Sequence, residues 1–194
     1  MVDHRVDPFA GAWGDARWEF VPSLEAPDAA LCTTAAAVAL WNFDTAKPHD
    51  PDSVQVVLTC NAEGRGTDSP RSWELPGGHI DPLDPNNPDG PMETPEQALA
   101  RETLEEAGFV ITKARLFGYR KVTNPAGSQY PELAYTPFYW AATTKPLQAP
   151  TEPGVEAEVF QLGEVRELLR TDEIQLSELA MVEYGVAAAL RHRF

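Results

Sequence analysis

Three glutamates, Glu102, Glu105 and Glu106, crowd into five consecutive residues directly after Arg101. Carboxylates at this spacing can hold a hard divalent cation or take a proton from water. They can also simply coat a solvated helix, with Arg101 and Glu105 paired at i,i+4. On a helical wheel Leu99, Ala100, Thr103, Leu104 and Ala107 form an apolar side. The three glutamates then fall together on the opposite side, within about 100° of one another. That arrangement breaks two local rules. Glu102 and Glu106 are like charges at i,i+4, which costs a few tenths of a kcal/mol. Glu105 and Glu106 sit in the last turn, where the helix dipole disfavours anions by roughly 0.3–1 kcal/mol each. A bound cation would reverse both penalties, and local rules tend to be broken at functional sites. Upstream, Gly77-Gly78 follows Leu75-Pro76. A double glycine lets the backbone approach a ligand closely and expose its carbonyl oxygens, although alone it is often only a turn.

The elements that must position these groups are legible in outline. Thr94 is a good N-cap, Pro95 suits the first helical position, Gln97 completes a capping box and Gly108 suits the position after the helix. The pattern predicts a helix over 95–107. Thr33–Trp41 is a continuous apolar run and Val54–Cys60 a β-branched one, both read as strands. Further strands are expected over 110–122, 134–143 and 156–162, and helices over 164–170 and 177–191. Leu179, Val182, Val186 and Leu190 give the last helix its apolar stripe. Residues 79–92 have turn formers at nearly every position and read as a long loop. The order implies an α/β (α+β) fold, with helices on both sides of a mixed central sheet. Residues 1–30 carry Trp13, Trp18 and Phe20 among Pro, Gly and Asp. They read as an N-terminal arm, packed on the domain of residues 31–194 or on a second copy in a homodimer.

Composition narrows the class. The chain has 194 residues, 43% hydrophobic and 23% charged, which suits one globular domain. No apolar run approaches the roughly 18 residues of a membrane span. Thirty acidic against fifteen basic residues give a net charge of −15, which repels a nucleic-acid duplex or else serves solubility. A small anionic substrate remains compatible if a cation mediates its approach. Cys32 and Cys60 cannot form a disulfide framework and read as small core residues. The N-terminus lacks a signal-peptide pattern, so a cytoplasmic location is expected.

Leu75-Pro76-Gly77-Gly78, then Glu93, then Arg101-Glu102-Thr103-Leu104-Glu105-Glu106-Ala107-Gly108-Phe109 resembles the signature of the Nudix (MutT-like) hydrolase family. Glu93 and Arg101 have the required seven residues between them. Two departures stand out. Thr103 fills a position that is usually aliphatic, and fourteen residues separate Gly78 from Glu93 instead of five. The longer loop costs only about 1 kcal/mol of closure entropy, so Gly78 and the helix can keep their places.

The resemblance implies an α/β/α sandwich that cleaves a nucleoside diphosphate linked to another group, by attack of water on phosphorus with Mg²⁺ or Mn²⁺. Carried over by position, Glu102, Glu105 and Glu106 would ligate the metal with the carbonyl of Gly78, and Gly77 would line the site. Glu102, or a carboxylate elsewhere, would take the proton from water. Arg101 and Glu93 would hold the glutamates in register. Family members often draw an extra ligand or base from outside the motif, and Glu156 or Glu158 can supply it here. Trp73, Tyr130, Tyr135, Tyr139 and Trp140 can stack a nucleobase or form core. Arg71, Arg120 and Lys121 can bind phosphate or sit on the surface. His79 can face the cleft, whereas His4, His49 and His192 carry no pattern. Two other readings stay open: a catalytically weak nucleotide or nucleotide-sugar sensor on the same fold, and a structural interaction domain. An isomerase of isoprenoid diphosphates is another relative of the fold, and this sequence places no suitable cysteine near the motif to support that reading.

Overall fold

The computed structural model describes residues 9–44, 46, 49–61, 73–128, 130–144, 146, 148–169 and 173–191, the side chains of 61 and 173–175 aside. Its centre is β3 (Thr34–Trp41), the expected apolar run. Along β3 the side chains alternate between two cores. Ala35, Ala37 and Ala39 pack with Leu99 and Ala107 of α1 (Pro95–Ala107), while Val38 and Leu40 pack with Val182 and Val186 of α3 (Glu173–Arg191). A strand covered by helices on both faces must be apolar at every position, which explains the unbroken run. The alanines on one face leave room for α1 to lie close against the sheet.

The remaining strands are β1 (Ala10–Trp13), β2 (Ala16–Pro22), β4 (Gln55–Asn61), β5 (Gly77–His79), β6 (Ile111–Thr123), β7 (Leu133–Thr143) and β8 (Val155–Gln161). The sheet order is β1-β2-β6-β7-β3-β4-β8. Only β3 and β7 run parallel among these neighbours, so the sheet is mixed as expected. β3 splits its free edge. Its C-terminal end pairs with β4 through Ala39–Trp41, and its N-terminal end pairs with β5 through Thr34–Ala36. The glycines of β5 are thereby laid beside the centre of the sheet.

α1 has the expected limits. Thr94 Oγ1 accepts from the Gln97 N–H (3.3 Å) and Gln97 Oε1 accepts from the Thr94 N–H (2.8 Å), while Gly108 ends the helix at φ 74°. α2 begins earlier than the expected 164, at Leu162–Leu168, because Glu164 Oε2 accepts from the Gln161 N–H (2.7 Å) and turns β8 directly into the helix. α3 likewise starts at Glu173 instead of 177.

The N-terminal segment, expected as an arm packed on the domain or on a second copy, joins the domain's own sheet. β1 and β2 form a hairpin around Gly14 (φ 60°), and β2 pairs with β6 from Arg17↔Thr123 to Pro22↔Gly118. Trp18 and Phe20 are buried, and Phe20 belongs to the core shared with α3. The alternation of tryptophan and phenylalanine with polar residues is therefore a strand pattern. Among the described residues no helix is long and apolar enough to cross a membrane.

Candidate active site

α1 reaches the sheet through β5. The buried residues of the helix are Pro95, Ala98, Leu99, Glu102, Thr103 and Ala107. Relative to the wheel expected from the sequence, Ala100 is exposed and Glu102 takes its place against the protein. Gly78 makes this tolerable: a Cβ there would overlap the Glu102 carboxylate. A Cβ at Gly77 would strike the Ala35 carbonyl. Gly77 is thus required by space, and a side chain at Gly78 would displace the Glu102 carboxylate. Thr103 is fully buried and its Oγ1 has no hydrogen-bond partner, so its methyl does the packing expected of an aliphatic residue.

The register of β5 decides which glycine offers its backbone. Ala37 N–H donates to Pro76 O and Ile80 N–H donates to Thr33 O (both 3.0 Å). Antiparallel pairing alternates, so Gly78 stands in hydrogen-bonding register with Ala35 and Gly77 does not. The amide of Gly77 turns the other way and donates to Glu106 Oε2 (3.0 Å). The carbonyl of a strand residue leaves on the same side as its N–H. The free carbonyl beside the glutamates therefore belongs to Gly77, and that of Gly78, the expected ligand, is directed into the ladder.

Arg101 ties the site together. Its Nε and Nη2 donate to the two Glu93 oxygens (both 3.0 Å), and Nη1 donates to Glu102 (3.0 Å) and Glu105 (3.1 Å). Nη2 also reaches the His79 carbonyl (2.9 Å) and Asp81 (3.2 Å). Asp81 and Glu93 flank the long loop and bond each other: Glu93 N–H donates to Asp81 O (2.8 Å), and Asp81 N–H to Glu93 Oε2 (3.2 Å). A bridge between Pro82 and Met92 continues this neck. The extra residues project beyond it, so β5 and α1 keep their relation despite the insertion.

The carboxylates respond differently to this environment. The Arg101 guanidinium holds Glu93 below the usual carboxylate range. Burial raises Glu102 in spite of its contact with Arg101. Burial pushes Glu106 up to about 7, and the negative charges of Glu102, Glu152 and Glu105 add to that against the opposing Gly77 amide. Oxygen atoms of Glu102, Glu106 and Glu152 lie within 4.8 Å of one another. Glu152 is the residue the sequence reading missed. It precedes β8 in a segment docked on the end of α1, where the Glu105 carbonyl accepts from the Thr151 N–H (2.7 Å) and the Glu152 N–H (3.4 Å). No motif in the sequence marks it. Glu105, expected in the cluster, instead turns its side chain to Arg101 and is half exposed.

A family model described as NUDIX domain matches residues 33–180. The chain belongs to the NUDIX family. It is 43% identical over 63 residues to the 8-oxo-dGTP diphosphatase of Haemophilus influenzae, a stretch covering 32% of this chain and 38% of that relative. The chain thus spans well under half of that relative's length. Its fold is similar to a mutant of the Bacillus subtilis pyrophosphohydrolase BsRppH, with TM-score 0.57, 17% identity, and 92% and 90% of the two chains covered. It is also similar to a NUDIX hydrolase from Nitrosomonas europaea, with TM-score 0.53, 20% identity, and 81% and 90% covered.

On this NUDIX fold the other candidates separate by sheet face. Ala157 and Val159 face α1, whereas Phe160 packs in the opposite core. Glu156 and Glu158 share the face of Phe160, so strand alternation turns both away from the glutamate cluster. Glu156, expected as an extra metal ligand, therefore stands on the face away from the cluster, and Glu152 is the acidic residue from this part of the chain that joins Glu102 and Glu106. Trp73, Tyr139 and Trp140 are core, and Tyr135 packs edge-on against Tyr119. Lys121 pairs with Glu19 at the surface (3.1 Å). His49 stacks on Phe43. Cys32 and Cys60 are both buried free thiols, as expected. Arg71, His4 and His192 lie outside the described residues.

Proposed function

We propose that this NUDIX chain hydrolyses the phosphoanhydride bond of a nucleoside diphosphate linked to a further group, using Mg²⁺ or Mn²⁺. The observation that carries the reading is the convergence of Glu102, Glu106 and Glu152 beside the diglycine. The donor set fits a hard cation: three carboxylates and the free carbonyl of Gly77, all oxygen. Glu102 and Glu106 are also raised by burial, with neighbouring carboxylates adding to it, an imbalance that a divalent cation would relieve. Glu102, Glu106 and Glu152 would hold it with Gly77. When bound it supplies neutralisation of the diphosphate charge and acidification of water.

The chain's own residues divide the remaining work. Arg101, anchored on Glu93, keeps Glu102 pointed at Gly78 and away from the helix surface. Glu102, or another carboxylate such as Glu152, takes the proton of the attacking water. Glu105, held by Arg101 and half exposed, stands ready beside them. The similarity to an 8-oxo-dGTP diphosphatase supports a nucleotide as the substrate.

The test is a hydrolysis screen with Mg²⁺ and Mn²⁺ over nucleoside triphosphates, oxidised nucleotides, ADP-ribose, dinucleotides and nucleotide sugars, with products identified by mass. Metal-dependent release of a nucleoside monophosphate from at least one is expected. Absence of any product across the panel would overturn the hydrolase reading, and binding without turnover would favour a nucleotide sensor.

A further inference from the structure

The carboxylate cluster draws Glu102 and Glu106 from α1 and Glu152 from the connection between β7 and β8. That connection crosses the C-terminal end of α1 as a strap, residues 148–154. Gln148, Ala149, Thr151, Glu152 and Pro153 are all exposed. Burial of apolar surface therefore does little to hold the strap, and its place depends on a few backbone contacts. Pro150 and Pro153 flank Thr151 and Glu152 and limit the conformations open to the strap once it is anchored.

Two features of the helix end provide the anchor. The first is a spare acceptor. In a continuing helix the Glu105 carbonyl would accept from the Phe109 N–H. Here Gly108 turns the chain aside at φ 74°, and the Phe109 N–H donates to Thr103 O (3.3 Å). The Glu105 carbonyl goes to the strap. Thr151 donates to it through its N–H (2.7 Å) and its hydroxyl (3.4 Å), and Glu152 through its N–H (3.4 Å). Among the described residues, every hydrogen bond from the strap to α1 ends on this one oxygen. The second feature is a gap. Gly108 is buried, and a Cβ there would overlap the Gln148 carbonyl. Gly127 has nearly the same φ, 79°, yet its Cβ would meet nothing within 4 Å. A left-handed φ alone would admit asparagine at both positions. Of the two, only Gly108 is also required by space.

We propose that Gly108 is a positioning residue. Its missing side chain admits the Gln148 carbonyl, so that the strap settles on the Glu105 carbonyl and places Glu152 beside Glu102 and Glu106. The consequence for the cation rests on the proposed function, whereas the seating of the strap is a property of the chain alone. Glu105 then serves both sides of the site, its side chain turned to Arg101 and its carbonyl to the strap.

The test compares the full-length protein with Gly108→Asn, which keeps the left-handed cap but adds a Cβ, and with Gly127→Asn as the backbone control. Amide hydrogen exchange of the metal-free proteins by NMR reads the strap, and calorimetry with Mn²⁺ alone reads the site. The Thr151 amide should exchange at least about tenfold faster in Gly108→Asn than in the wild type, and no faster in Gly127→Asn. Mn²⁺ should bind about tenfold more weakly to Gly108→Asn. Made on a Glu152→Ala background, the same substitution should cost less than about twofold, because the side chain it positions is already gone. Thr151 exchange as slow as in the wild type would overturn the seat, as would an equal loss of Mn²⁺ affinity in the two backgrounds. If Gly108→Asn fails to fold, Thr151→Pro removes the donor from the strap and leaves α1 intact, and the same readings are taken with the Glu152 amide as the probe. A wild type that binds no Mn²⁺, while Gly108→Asn still frees the Thr151 amide, would uphold the seat and overturn the cation of the proposed function.

Discussion

Two arginines on opposite sides of β5 stand in opposite electrical situations. Arg101 meets Glu93, Glu102, Glu105, Asp81 and the His79 carbonyl, and Glu93, with Glu102 and Glu105, raises its pKa. Arg120 has one long contact to Glu178 and an orphaned Nε, and burial lowers its pKa. The first is saturated, so it fixes geometry. The second retains a donor that the fold itself does not use. The glutamates beside Arg101 show the complementary imbalance, with Glu106 pushed up to about 7 by burial and neighbouring carboxylates. One face of the sheet thus lacks positive charge and the other lacks an acceptor. The Arg101 cluster holds β5 and α1 in their relation, whereas the Arg120 Nε stays buried and unpaired.

The largest effect expected on this contrast is from Glu106→Gln. Steady-state assays should show turnover reduced by roughly 10²–10⁴-fold. The metal-free variant should melt no lower than the wild type at pH 8, because a repelled charge is gone. Turnover within threefold of wild type would remove Glu106 from the site.

Next comes Arg101→Met. Glu93 and Glu102 are each only about one-tenth exposed at their side chains and would lose their shared partner. Urea unfolding should show a loss of about 2–4 kcal/mol, since stranding a buried charge is costly. A loss below about 0.5 kcal/mol would mean that Arg101 is a surface residue with no organising role.

A smaller effect concerns pH. The pKa of Glu106 is raised from 4.5 to about 7 on folding. Between those values the folded state holds a proton that the unfolded state releases, so this group's stability contribution is full below about pH 4.5 and is lost as pH rises through 7. The metal-free protein should therefore lose melting temperature across pH 5–8 relative to Glu106→Gln. Millimolar Mg²⁺ should recover most of that loss at pH 8. Parallel melting curves for the two proteins would contradict the shift.

The smallest effect is expected from the loop. Replacing residues 83–90 by a short turn, with the Asp81–Glu93 neck kept, should change stability by no more than about 1 kcal/mol. A larger loss in thermal unfolding would show that the excursion, and not Arg101, holds β5 to α1.

How much of this was readable in advance follows contact range. The limits of α1 lie in Thr94, Pro95, Gln97 and Gly108, all acting within a few residues of the helix ends. Ala100 was misplaced because a wheel gives faces but not which face the sheet takes. Glu152 and Glu156 look alike in sequence. One reaches α1 because its loop docks on the Glu105 carbonyl, and the other points away because of strand parity. The hairpin was hidden because its partner, β6, lies about a hundred residues later.

By itself, then, the sequence determined the capped helix, its crowded glutamates, the two adjacent glycines and the strands around them. Each depends on spacing, capping or backbone freedom over a few residues. Only the tertiary structure decided that Gly77 offers the free carbonyl and that Glu152 completes the cluster. Those outcomes depend on register and on burial between distant segments, which set the direction of a carbonyl and the solvation of a charge.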